Sequence, residues 1–259
     1  IKSYLSLPIL ILLVMLKNIL GRVFAVWAII IFVLTMLVAY PLIWSAKFSP
    51  EPKRTRVFQR YARGWMLVYF FLTGVRIRIV GKEHFDRGQS YIVVCNHNSF
   101  MDVPLATPFI PGPNKTIAKK EMASIPLFGM IYRLGSVLVD RKSDESRKQS
   151  YVRMKEVLSM GLHMCIYPEG TRNRSKEALQ YFHNGAFKLA TDTGNSIMPA
   201  VLFNTAKVLP PNKSFYYWPA RIEMHFLEPV PVGSYSMEEL KDEIFEQMKT
   251  YYEEVEGKR

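Results

Sequence analysis

Cysteine is nearly absent from this chain: Cys95 and Cys165 are the two in 259 residues, and neither has zinc-ligand spacing to another Cys or His. That excludes a disulfide framework and a structural zinc site. Each cysteine ends or lies inside a short apolar run that reads as a buried strand, so both are expected to be reduced core thiols. A bond between them would need their strands to be neighbours and is disfavoured on a cytosolic face. Internal repeats and low-complexity tracts are missing as well, which excludes a solenoid or an array. At this length one α/β domain plus a membrane segment fits, whereas two domains with separate cores do not.

Charge is missing where apolar residues crowd. Residues 23–44, VFAVWAIIIFVLTMLVAYPLIW, carry no charged side chain and as a helix would extend about 33 Å, the thickness of a hydrocarbon core. Trp27 near one end and Tyr40 and Trp44 near the other suit the two interfaces, and Pro41 falls where a helix end or kink is tolerated. A buried core helix is the competing reading. Lys47, Lys53, Arg54, Arg56, Arg60 and Arg63 follow the segment and outnumber the preceding Lys2, Lys17 and Arg22, which places the C-terminal bulk in the cytoplasm. A shorter run, residues 65–72 (WMLVYFFL), suits either an interfacial helix or a core-facing one. Residues 4–16 resemble a signal h-region but lack a convincing cleavage site, so Met15 is the expected natural start. The expected division is a membrane segment at 1–48, a basic linker and interfacial helix at 49–73, and a catalytic domain at 74–259.

What the chain does have is basic charge, +12 with a pI near 9.6, and this predicts an anionic partner, a phospholipid surface or a nucleic acid. Beyond the linker at 49–56, short apolar runs alternate with helical patterns, the signature of a mixed α/β fold with a largely parallel sheet flanked by helices. Strands are expected at 75–80, 91–95, 116–119, 136–140, 162–167, 197–203 and 221–227. Ser143 or Asp144 caps one helix that stops before Gly161. A second runs from about Gly185 to Gly194, and a third starts at Met237 with Leu240, Ile244, Met248 and Tyr251 on one face.

Two motifs carry chemistry. The first, Asn96-His97-Asn98-Ser99-Phe100-Met101-Asp102, follows the strand at 91–95, and strand ends are where α/β sheets hold ligands. Pro104 belongs in a first helical turn, so Asp102 falls at or near the N-cap and its carboxylate can fold back on His97. A carboxylate on one ring nitrogen fixes the tautomer and leaves the other nitrogen as a base. Asp102 can equally be a plain helix cap, with Ser99 and Asp102 forming a capping box. The second motif, Tyr167-Pro168-Glu169-Gly170-Thr171-Arg172, follows the strand at 162–167. Pro168 and Gly170 enforce a turn that displays Glu169, able to accept from a glycerol hydroxyl, and Arg172, able to fork onto phosphate. His84, His97 and His163 have no metal-site spacing.

These motifs, with KKEMASIPLFGMIYRLGSVLVDR (residues 119–141) and Ile197-Met198-Pro199-Ala200-Val201, together resemble the four ordered motifs of the 1-acyl-sn-glycerol-3-phosphate acyltransferase family. The resemblance implies a glycerolphosphate acyltransferase-like fold in which His97 is the general base and Asp102 its orienting carboxylate. It implies that Lys119 or Lys120, with Arg141, holds the acceptor phosphate. Glu169, Gly170, Thr171 and Arg172 would bind glycerol and phosphate, and Pro199 would shape the site floor. It further implies lysophosphatidic acid as acceptor and an acyl thioester, acyl-CoA or acyl carrier protein, as co-substrate at a phospholipid membrane. No cofactor, metal or nucleic acid is expected. An acyl-enzyme on Cys95 or Ser99 is the competing mechanism. A related lysolipid or aminoacyl-lipid acceptor, or a non-enzymatic lipid-binding module, is the competing function.

Overall fold

The computed structural model describes residues 7–175, 177–233 and 235–258. Lys2 and the first three residues of the 4–16 run lie outside them. Seven strands form one sheet: β1 (Arg76–Val80), β2 (Ile92–Cys95), β3 (Asn114–Lys119), β4 (Ser136–Val139), β5 (His163–Ile166), β6 (Ile197–Phe203) and β7 (Arg221–Phe226). All seven expected strands are present. Their spatial order is β1-β7-β6-β2-β5-β3-β4, and every pairing is parallel except β6 with β7. β2, β5 and β6 are buried along their whole length, as strands covered on both faces must be, which is why they read as unbroken apolar runs.

One face is covered by α1 (Leu7–Ser45), α2 (Lys53–Leu72) and α3 (Asp102–Phe109). The other is covered by α5 (Asp144–Ser159), α6 (Gly185–Thr193) and α8 (Met237–Gly257), with α4 (Phe128–Gly135) and the single turn α7 (Thr205–Val208) at connections. The helix ends follow the sequence signals. Ser143 Oγ accepts from Ser146 N–H to cap α5, Gly194 closes α6 in the left-handed region, and α8 opens on a reciprocal Ser236–Glu239 capping box.

α1 is 39 residues long and, among the described residues, the one helix long and apolar enough to cross a membrane. It is also part of the core. Ala25, Ala28, Ile31, Met36, Ala39 and Ile43 form a buried stripe at helical spacing, while Ile29, Ile30, Leu34, Leu37 and Val38 are exposed. α2 runs antiparallel beside it, fixed by Trp27 Nε1 donating to the Leu72 carbonyl at 3.0 Å and Trp65 Nε1 to Thr35 Oγ1 at 3.0 Å. Gly21 is required because a Cβ there would enter the Tyr216 ring.

Residues 49–52 connect α1 to α2, residues 53–56 open α2, and the run at 65–72 takes the core-facing reading, burying Trp65, Met66, Tyr69 and Phe70. α2 begins at Lys53 and runs unbroken, burying Thr55, Phe58, Gln59, Ala62, Trp65, Met66, Tyr69 and Phe70 at three- and four-residue spacing. Its cluster of cations hid that stripe. Arg63 is held within the fold, its Nε donating to the Pro108 carbonyl at 2.7 Å and Nη2 to that of Ile110 at 3.2 Å.

Candidate active site

Because β2, β5, β3 and β4 are mutually parallel, their C-terminal ends share one edge of the sheet, and four loops meet there. Asn96 sets where the first leaves. Its buried side chain acts as a peptide group, Nδ2 donating to the Leu202 carbonyl at 3.1 Å and Oδ1 accepting from Leu202 N–H at 2.7 Å. The chain is thereby freed from β2 one residue before His97.

His97 and Asp102 come together as expected. His97 Nδ1 lies 2.8 Å from Asp102 Oδ2, with the imidazole side chain 19% exposed and the carboxylate fully buried. The same Oδ2 accepts from the backbone N–H of Asn98 and Ser99, both at 2.7 Å. An oxygen that receives three donors is an acceptor throughout, so Nδ1 carries the proton and Nε2 is left as the basic nitrogen. Asp102 is the first residue of α3, after Met101, so the carboxylate caps the loop rather than the helix. Ser99 Oγ donates to the Leu209 carbonyl at 2.8 Å; only the carboxylate half of a capping box forms. Beneath His97 lies the Tyr167 ring, centroids 4.5 Å apart, whose hydroxyl pKa is driven well up by burial.

Glu169 occupies a different place from the one its turn suggests. It is 3% exposed, and both carboxylate oxygens are engaged: Oε1 accepts His97 N–H at 2.7 Å and Oε2 accepts Gln180 N–H at 3.1 Å. With Asn173 N–H donating to the His97 carbonyl at 2.6 Å, it clips the histidine loop to the turn. Burial pushes its pKa up to about 7, against the two amide donors, which lower it, and with help from the Asp102 charge.

Gly170 has φ of 68°, and a Cβ there would stand 2.9 Å from His183 Cδ2, so the turn takes glycine for both reasons. Its carbonyl accepts from Arg141 Nη1 at 2.6 Å. Thr171 and Arg141 are exposed and Arg172 half-buried. Arg172 places its guanidinium carbon 3.5 Å from the centroid of the Phe100 ring, and desolvation lowers its pKa. Lys119 and Lys120 are exposed at the end of β3. Lys120 opens a 3-10 turn, so strand alternation does not decide between them. Pro199 is buried inside β6 opposite Val94, in the sheet interior below the loops.

Phe100, Asn96, Tyr167 and His183 are site neighbours that residue type alone did not single out. The two cysteines sit on adjacent strands with Sγ atoms 3.9 Å apart, unbonded and fully buried. Contact with Cys165, burial and nearby negative charge push the Cys95 pKa up. Among the described residues no group of three or more His, Cys, Asp or Glu converges on a metal site.

A largely parallel sheet with a carboxylate-held imidazole and an arginine-bearing turn at its strand ends has the layout of an α/β enzyme. The Acyltransferase family profile matches residues 76–202, a stretch that contains every one of these residues. A Helicobacter pylori 1-acyl-sn-glycerol-3-phosphate acyltransferase is 31% identical over 191 residues, covering 72% of this chain and 79% of that one. The chain belongs to the acyltransferase family that includes the 1-acyl-sn-glycerol-3-phosphate acyltransferases. The enzyme of that name from Borreliella burgdorferi is 31% identical over 144 residues, 55% of this chain; the match spans 57% of its length, under two thirds. The alpha enzyme from Homo sapiens is 29% identical over 71% of this chain and 66% of that one. In fold, the crystal structure of the 1-acyl-sn-glycerophosphate acyltransferase from Thermotoga maritima matches with a TM-score of 0.79 at 21% identity, over 92% of this chain and 97% of that one.

Proposed function

We propose that this chain transfers a fatty acyl group from an acyl thioester, acyl-CoA or acyl carrier protein, to the sn-2 hydroxyl of 1-acyl-glycerol-3-phosphate. The observation that carries the reading is the His97–Asp102 pair, Nδ1 to Oδ2 2.8 Å, beside the Arg172 turn. His97 Nε2 takes the hydroxyl proton as that oxygen attacks the thioester carbonyl carbon. The carbon–sulfur bond breaks, and the departing thiolate recovers the proton from the imidazolium, so the base is regenerated without an acyl-enzyme. Arg172 and Arg141, whose Nη1 reaches the Gly170 carbonyl of the same turn, together with Lys119 or Lys120 at the end of β3, supply cations for the acceptor phosphate. Glu169, with one amide on each carboxylate oxygen, positions His97 and keeps a further lone pair on each oxygen for a glycerol hydroxyl.

In this reading residues 1–48 anchor the enzyme, α2 completes the anchor, and residues 74–259 carry catalysis on the cytoplasmic face. Acceptor and product both stay in the bilayer, so the site belongs at its surface. A matrix of acceptors and donors on purified membranes, run with His97→Ala alongside, tests the assignment. Transfer to lysophosphatidic acid that drops about 10²- to 10⁴-fold in the variant supports it. Glycerol 3-phosphate as the productive acceptor would move the enzyme one step upstream, and full activity in His97→Ala would end the mechanism.

A further inference from the structure

Phe100 is 68% exposed although both its neighbours are sealed in the fold, Ser99 fully and Met101 to 1%. A large apolar side chain held out from the rigid base loop has no packing role to explain it. What it touches is Arg172, whose guanidinium carbon stands 3.5 Å from the ring centroid, well within cation–π range. No hydrogen bond or ion pair holds Arg172 among the described residues, so the ring of Phe100 is the contact that orients its guanidinium. The next residue along, Asn173, is tied by its N–H to the His97 carbonyl. The base loop and the phosphate turn therefore meet three times, through the Asn173 backbone, through the Glu169 carboxylate on His97 N–H and through this stacked pair.

We propose that Phe100 is a positioning residue for the acceptor phosphate, holding Arg172 in the orientation that receives it while His97 faces the hydroxyl. Stacking uses a face of the guanidinium and none of its five N–H donors, so the fork stays free. It also removes much of the side-chain freedom that an unpaired arginine would lose on binding. Because Phe100 lies three residues from His97, the same short loop sets the distance between the base and the phosphate fork. The inference rests on the acceptor reading above.

The test is a double-mutant cycle on the full-length protein in mild detergent: Phe100→Leu, Arg172→Ala and the pair, with Phe100→Trp as the conservative control. Phe100→Leu keeps an apolar side chain but loses the ring quadrupole. It should raise KM for lysophosphatidic acid about 2- to 5-fold, the range for a cation–π contact at a partly exposed site, with kcat within a factor of two. Phe100→Trp should restore KM, and on the Arg172→Ala background Phe100→Leu should change nothing further. An equal rise in the Leu and Trp variants, or the same Leu effect with Arg172 absent, would overturn the inference. If the wild type transfers no acyl group, the proposed function falls by itself. The cycle is then read from the dissociation constant of lysophosphatidic acid by calorimetry on the same proteins, with the same two outcomes deciding.

Discussion

Replacing Glu169 by Gln should separate stability from activity in a pH-dependent way. The carboxylate receives two backbone N–H groups, from His97 at 2.7 Å and Gln180 at 3.1 Å, whereas an amide offers one acceptor oxygen and turns its NH₂ on the other donor. One buried N–H loses its partner, at a cost of roughly 1–3 kcal/mol. Against this stands the charge. A carboxyl whose pKa rises from 4.5 to about 7 on folding keeps its proton in the folded chain after the unfolded chain has lost it. Wild-type stability therefore falls as pH rises between these two values and levels off above the upper one, by on the order of 3 kcal/mol. Glutamine does not titrate. Near pH 4.5 the wild type should be the more stable by roughly 1–3 kcal/mol, and above pH 7 the two should be level or reversed in order. Activity should follow the lost clip instead, kcat falling about tenfold for each ~1.4 kcal/mol of His97 misplacement. Urea unfolding in mild detergent, followed by tryptophan fluorescence from pH 4.5 to 8 beside acyl-transfer assays, reads both. A stability difference that is flat across that range would refute the assignment of the titration to Glu169.

Cys95→Ala should retain acyl transfer within about threefold, because a fully buried thiol with a raised pKa is a poor nucleophile; complete loss, with an acyl-enzyme trapped in the parent, would overturn direct transfer. Removing residues 1–16 should leave a folded enzyme. Removing residues 1–44 deletes Ala25, Ala28, Ile31, Met36, Ala39 and Ile43 from the core, an apolar burial of roughly 5–10 kcal/mol, comparable with the whole stability of a domain. Protease resistance in detergent distinguishes the two truncations, and a compact 45–259 fragment would contradict the packing described.

The strands were legible because a parallel sheet covered on both sides leaves runs such as IVVC and HMCI with no polar alternation. His97 and Asp102 were legible because their spacing straddles a strand end and a helix start. The antiparallel β6–β7 pairing was not, since an apolar strand reads the same in either direction. The core role of α1 was hidden for a related reason: hydropathy does not separate an exposed Ile29 from a core-facing Ile31, and only the position of α2 does. Glu169 read as a ligand-facing acid because turns are ordinarily solvated. Its partners are backbone amides of His97 and Gln180, and backbone partners leave no trace in residue type. Arg172 was picked out by charge, while the ring it rests on looked like one more loop aromatic.

Asn96 gives the β2–β6 ladder a last rung made from a side chain. The point at which the scaffold stops is thereby written into one amide and not into strand length. The loop at 97–101 hangs from that rung, so a change of its sequence or length leaves the β2–β6 pairing in place. An engineer seeking a new acceptor for this enzyme has a natural cut site there: keep the asparagine, and redesign outward from it.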